Sequence, residues 1–140
     1  MITVSVCVFM ISGCRQPKPT QQNADPEEVS FVRLLSVPEK YDGKDVIVVG
    51  FNHPEFEGGG LYLTKEDARM GNTVNCFSVA GLQDGRVLTP NEVDCFVAVS
   101  GRFRAGPAGH MGLYPGQISP TYTISAFDLS TGRWTDVRPR

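Results

Sequence analysis

Apolar and polar positions alternate in short runs along most of the chain, separated by clusters of glycine, proline, asparagine and aspartate. Runs of this length with a period of two mark strands, whereas helices need apolar residues three and four apart over longer windows. Residues 45–51 (DVIVVGF) form the clearest strand. Both of its faces are apolar, which predicts a central position with one face toward a core and the other under a helix. Gly50 is where such a strand bends. Residues 61–64 follow Gly58-Gly59-Gly60 as a hairpin partner, and residues 74–80 are a third strand. Residues 93–103 make a long fourth strand and residues 121–129 a fifth. Ser130-Thr131-Gly132 then turns the chain into a short tail holding Trp134.

Helical spacing is confined to short pieces. Residues 29–36 place Val29, Val32 and Ser36 beside Phe31, Leu34 and Leu35, and Pro38 ends the run. Tyr41-Asp42-Gly43-Lys44 reads as a turn. Residues 65–70 make one helical turn with Thr64 as its cap, and Thr89-Pro90-Asn91-Glu92 has the capping-box pattern of another. Five strands with these short helical pieces predict a mainly β domain. The expected form is a small five-stranded antiparallel barrel of the OB type with a short N-terminal helix.

The first 28 residues do not share this pattern. Residues 2–11 are uncharged and mostly apolar, about the length of a signal-peptide core and too short to span a bilayer as a helix. The alternation of Val4, Val6 and Val8 with Ser5, Cys7 and Phe9 also suits a buried N-terminal strand. The run ends in Ile11-Ser12-Gly13-Cys14, which resembles the lipobox of bacterial lipoproteins. Met1-Ile2-Thr3-Val4 departs from the usual signal peptide in having no Lys or Arg. The resemblance implies removal of residues 1–13 and lipid attachment at Cys14, so that acyl chains hold the protein on a membrane of the bacterial cell envelope. Arg15 in place of an aspartate implies the outer membrane, facing the periplasm. Residues 15–28 (RQPKPTQQNADPEE) are polar and rich in Pro and Gln, the composition of a disordered tether. The chain thus divides into a signal peptide (1–13), a tether (14–28) and a folded domain (29–140).

A second resemblance rests on shorter segments. Residues 40–44 (KYDGK), Glu55-Phe56-Glu57-Gly58 followed by Leu61-Tyr62-Leu63, and Gly109-His110-Met111-Gly112 are similar to segments of small exported bacterial proteins with an OB-like domain. This resemblance implies the fold and supplies no chemistry, because OB barrels serve nucleic acids, oligosaccharides and proteins alike.

Composition narrows the partners. A chain of 140 residues has room for one domain, and its 15 glycines and 10 prolines favour strands and turns over long helices. The formal net charge is −2, without the clustered positive charge that phosphate backbones require, so nucleic acid is excluded as a partner. Arg133, Arg138 and Arg140 come closest to a basic patch, but Asp136 interrupts them and a solvated tail accounts for them.

Candidate chemistry is sparse. There are two histidines and no G-x-S-x-G elbow. His53, Glu55 and Glu57 alternate, so on a strand they share a face. With His110 they would complete a two-His, two-carboxylate set of the kind zinc or iron accepts. The alternative is a polar outward face beside a hairpin, with Pro54 at its edge. Once Cys7 is removed and Cys14 is lipidated, Cys76 and Cys95 remain. Outside the cytoplasm such a pair is most simply a disulfide, and two buried thiols are the alternative. Residues 105–116 (AGPAGHMGLYPG) form the most unusual segment, either a recognition loop presenting His110, Met111, Leu113 and Tyr114 or a long connection folded onto the core. The expected function is a membrane-anchored, non-catalytic binding or assembly module for an envelope protein or glycan, with no cofactor and no metal. The alternatives are a metal-dependent or hydrolytic envelope enzyme using His53, Glu55, Glu57 and His110, and a purely structural spacer.

Overall fold

A computed structural model describes residues 25–53, 60–80 and 94–137. The signal peptide, the tether up to residue 24, Glu55 and Glu57, the turn expected at Thr89, and Arg138 and Arg140 lie outside the described residues.

The chain is mainly β. A two-residue strand, β1 (Glu27–Glu28), leads into a short helix, α1 (Phe31–Ser36). The Ser30 hydroxyl caps α1 by accepting from the Arg33 amide at 3.3 Å, which satisfies one of the first-turn N–H groups. The helix stops at Val37 and Pro38 opens a tight 3-10 turn, Pro38–Tyr41. The strands β2 (Asp45–His53), β3 (Gly60–Tyr62) and β4 (Cys76–Val79) follow, with helix α2 (Lys65–Met70) between the last two. Two long strands, β5 (Cys95–Ala108) and β6 (Tyr114–Asp128), and the short β7 (Arg133–Asp136) complete the sheet.

All seven strands belong to one sheet of order β1-β2-β3-β4-β6-β5, with β7 added beside β6. β2 also pairs with β5 from Asp45↔Arg102 to Asn52↔Cys95, so the path of pairings returns to β2. The sheet is mixed: β4 runs parallel to β6 and β1 parallel to β2. The sheet thus has seven strands and two parallel pairs where five antiparallel strands were expected. Val46, Val48, Val97, Val99, Phe103, Ile118 and Ile124 point into the core, where they meet Phe31, Leu34 and Leu61. Phe77 sits among them, its ring 4.7 Å from that of Phe31 and edge-on to Phe103 at 5.3 Å.

Other sequence expectations change as well. α1 does not cover the outer face of β2, because Phe31 and Leu34 insert into the core and leave Val49 exposed. β5 and β6 extend well into the stretch read as a long loop, so only residues 109–113 remain between them. Register shifts at Ser100/Gly101, Gly101/Phe103 and Ala105/Ala108 absorb the extra residues that glycine and proline would otherwise make incompatible with a ladder. The solvated tail is in part a strand: Arg133 and Trp134 belong to β7.

α2 closes one side of the sheet. Thr64 accepts from the Asp67 amide at 3.0 Å and donates its hydroxyl to the Asp67 carboxylate at 2.6 Å. The Asn72 and Asn75 amides donate to the other carboxylate oxygen at 2.7 and 3.0 Å. These bonds, led by that from Thr64, hold the Asp67 carboxyl below its ordinary range. Ala68 is thereby pressed into a second apolar cluster with Phe51, Tyr62, Cys76 and Tyr114. Every residue of β3 and β4 is consequently buried.

Candidate binding face

With β3 and β4 covered, the outer face of β2, β5, β6 and β7 is the open side of the sheet. Side chains of a strand alternate between faces, and register aligns them across strands. Phe51 lies opposite Phe96, with ring centroids 5.4 Å apart and planes at 80°. Val97 lies opposite Ala126, the last pair of the β5–β6 ladder, and Phe96 and Phe127 are the next residues outward on these two strands. Phe127 in turn lies opposite Trp134, 5.0 Å away and inclined at 57°. Four aromatic side chains therefore form a row across four neighbouring strands, a span of about 14 Å at ordinary strand spacing. Phe51 is its buried end, Phe127 is half-buried, and Phe96 and Trp134 are 42% and 47% exposed.

The turn between β6 and β7 builds one end of this row. Asp128 accepts from the Ser130 amide (2.8 Å), the Ser130 hydroxyl (2.7 Å) and the Thr131 hydroxyl (2.9 Å). The bonds from Ser130 above all hold its carboxyl below the ordinary range. Gly132, at φ +65°, completes the reversal in a conformation that costs a side chain-bearing residue more. Trp134 is thereby returned across Phe127.

Polar groups flank the row on both sides. The next rank on one side is Val49, Ala98, Ser125 and Asp136, and the Ser125 hydroxyl donates to the Asp136 carboxylate at 2.7 Å. On the other side, just beyond the β2–β5 ladder, His53 Nδ1 donates to Asp94 at 2.5 Å. The Asp94 side chain is 59% exposed. Two ranks past Val49, Arg102 makes a forked pair with Asp45 (2.8 and 2.9 Å), and the Tyr122 hydroxyl donates to the same carboxylate at 2.8 Å. Arg102 first, and Tyr122 with it, hold the Asp45 carboxyl down against a smaller upward push from burial. The bond to Asp45 raises the Tyr122 phenol.

The residues singled out from sequence fall elsewhere. His110, Met111 and Leu113 are exposed at the tip between β5 and β6, where Met111 adopts a left-handed backbone (φ +54°). Tyr114 does not join them, being 4% exposed. Its ring fills space left by two glycines: a Cβ on Gly109 would run into the ring, and one on Gly60 would approach it to 3.5 Å. Cys76 and Cys95 are thiols and form no bridge. Their strands are not neighbours in the sheet, and two strand spacings, about 10 Å, exceed the roughly 7 Å a disulfide tolerates. Among the described residues no three His, Cys, Asp or Glu side chains gather at one point, and no helix is long and apolar enough to cross a bilayer. An open groove of about 450 Å³ beside β1 is lined by Glu28, Val29, Ser30, Phe31, Ile47 and Val49.

Phe96, Phe127 and Trp134 were not among the candidates read from sequence. Their signal is the outward phase of Phe96 beside the inward Val97 and Val99 in β5, together with the mirrored places of Phe127 and Trp134 about the Ser130-Thr131-Gly132 turn. Compared with known protein families, with curated proteins and with solved structures, the chain shows no significant match to any of them.

Proposed function

We propose that the chain is a non-catalytic binding module of the bacterial cell envelope, anchored through Cys14, and that the aromatic row is its ligand face. The returning path of strand pairings, with β4 and β6 parallel inside it, supports the reading of an OB-type barrel. In barrels of that type ligands meet the second and third strands, and here the corresponding β3 and β4 lie under α2 and Tyr114. Binding would therefore move to the opposite side. The observation that carries the reading is the row in which half-buried Phe127 stands between the exposed Phe96 and Trp134, since large aromatic side chains held by a rigid sheet supply contact area at low entropic cost.

Anchoring is supported by the apolar run before Cys14 and by the polar tether after it. The mass of the N-terminal peptide from membrane fractions tests it. Acyl chains on Cys14 support the anchor, and a Cys14→Ser chain that stays in the membrane fraction removes it. For the ligand face, immobilised protein is exposed to solubilised envelope material. Material retained by the wild type and lost by Trp134→Ala supports the reading, and equal retention by both removes it.

A further inference from the structure

We propose that the ligand of this face is a glycan chain free of anionic substituents, lying along the row from Phe96 to Trp134; this rests on the reading of the chain as a binding module. A sugar ring has an apolar C–H face and an equatorial belt of hydroxyls, and its site must match both. The row supplies apolar ring surface on three neighbouring strands, with the Phe127 and Trp134 rings inclined at 57° to each other. On each flank stands an exposed carboxylate whose orientation is already fixed, Asp136 by the Ser125 hydroxyl and Asp94 by His53. Each uses one oxygen for its neighbour and keeps acceptor capacity for a ligand hydroxyl.

Charge separates this ligand from other occupants. Carboxylates on both sides repel a phosphorylated or uronic-acid polymer. They also oppose insertion into lipid, because burying an ionised carboxylate without a partner is costly. Among the described residues, the cation at the far end of the face, Arg102, is already held in a fork by Asp45. A neutral glycan meets neither obstacle.

Trp134 is the sole tryptophan, so its fluorescence reports on the face directly. The purified full chain is titrated with neutral hexasaccharides of glucose and of N-acetylglucosamine, and with a hexagalacturonate. Calorimetry serves the variants that lack the fluorophore. The expected result is saturable binding of a neutral hexasaccharide, with the anionic one at least about tenfold weaker. Phe96→Ala and Trp134→Ala should each weaken binding about tenfold. The double variant Asp94→Asn, Asp136→Asn keeps the shapes and should narrow the gap between neutral and anionic ligands. Absence of saturable binding by every neutral oligosaccharide, equal affinity for the anionic one, or unchanged affinity in both aromatic variants overturns the proposal. If the neutral glycans fail while retention of envelope material still depends on Trp134, the glycan is wrong and the binding module stands.

Discussion

Phe127 and Trp134 face each other across the β6–β7 hairpin with ring centroids 5.0 Å apart, and the outward half of the Trp134 ring is left to solvent. A pair placed only for stability would be expected to bury the larger ring. In this pair Phe127 is the more deeply buried partner and acts as the support.

Replacement of Trp134 by alanine should therefore separate two effects. Loss of the ring pair costs about 0.5–1.5 kcal/mol of stability, read as a lower urea midpoint with unchanged slope. Ligand binding falls by a larger factor than this modest loss of folded protein explains. A variant that unfolds the domain outright would place Trp134 in the core, contrary to its exposure.

Gly50 is a packing requirement of the β2–β3 junction. A Cβ there would stand 2.6 Å from Leu61 and 2.9 Å from both the Phe31 ring and the Tyr62 carbonyl oxygen. The carbonyl is backbone and cannot swing aside. Gly50→Ala should cost about 1–3 kcal/mol by chemical denaturation. Unchanged stability would show that the strand is less closely packed than described.

Acid should weaken the domain partly through Asp45. Its folded-state carboxyl lies below the ordinary 3.8 because Arg102 and Tyr122 favour the charged form. The stabilisation is thus fully present above that value and is lost as pH falls through the lower folded value. Asp45→Asn should lower the melting temperature at neutral pH. The gap to the wild type should close as the pH is brought well below 3.8, and a constant gap would exclude Asp45 as a source of acid sensitivity.

The two domain thiols should react at different stages. Cys95 is half-buried and should label with a maleimide in the native protein, whereas Cys76 is fully buried and should label only after unfolding. Peptide mapping without reductant should recover both as separate labelled peptides. A peptide joined through Cys76 and Cys95 would contradict the strand order.

Much of the strand content was legible, because β2 carries a continuous run of Val and Ile and β5 places Val97 and Val99 two apart. The extension of β6 back to Tyr114 was not. Pro115, Gly116 and Pro120 break strands locally, and only the long partner β5, with its register shifts, overrides them. β7 was hidden for the opposite reason: all four residues are exposed, so burial leaves no pattern, and its place depends on the turn that Asp128 organises. Tyr114 read as exposed because glycines surround it. In space Gly109 and the distant Gly60 open the pocket that holds its ring, a relation no local window contains. The aromatic row needs the register of four strands at once, and each strand alone shows one ordinary outward aromatic residue.

The most direct measurement is a residue-by-residue map of ligand contact by nuclear magnetic resonance, following the side chains of the full chain during titration with a neutral hexasaccharide. Shifts should concentrate on Phe96, Phe127 and Trp134, with Ser125 and Asp136 moving beside them. Shifts centred instead on His110, Met111 and Leu113, or spread over the surface without saturating, would contradict the assignment of this face as the binding site.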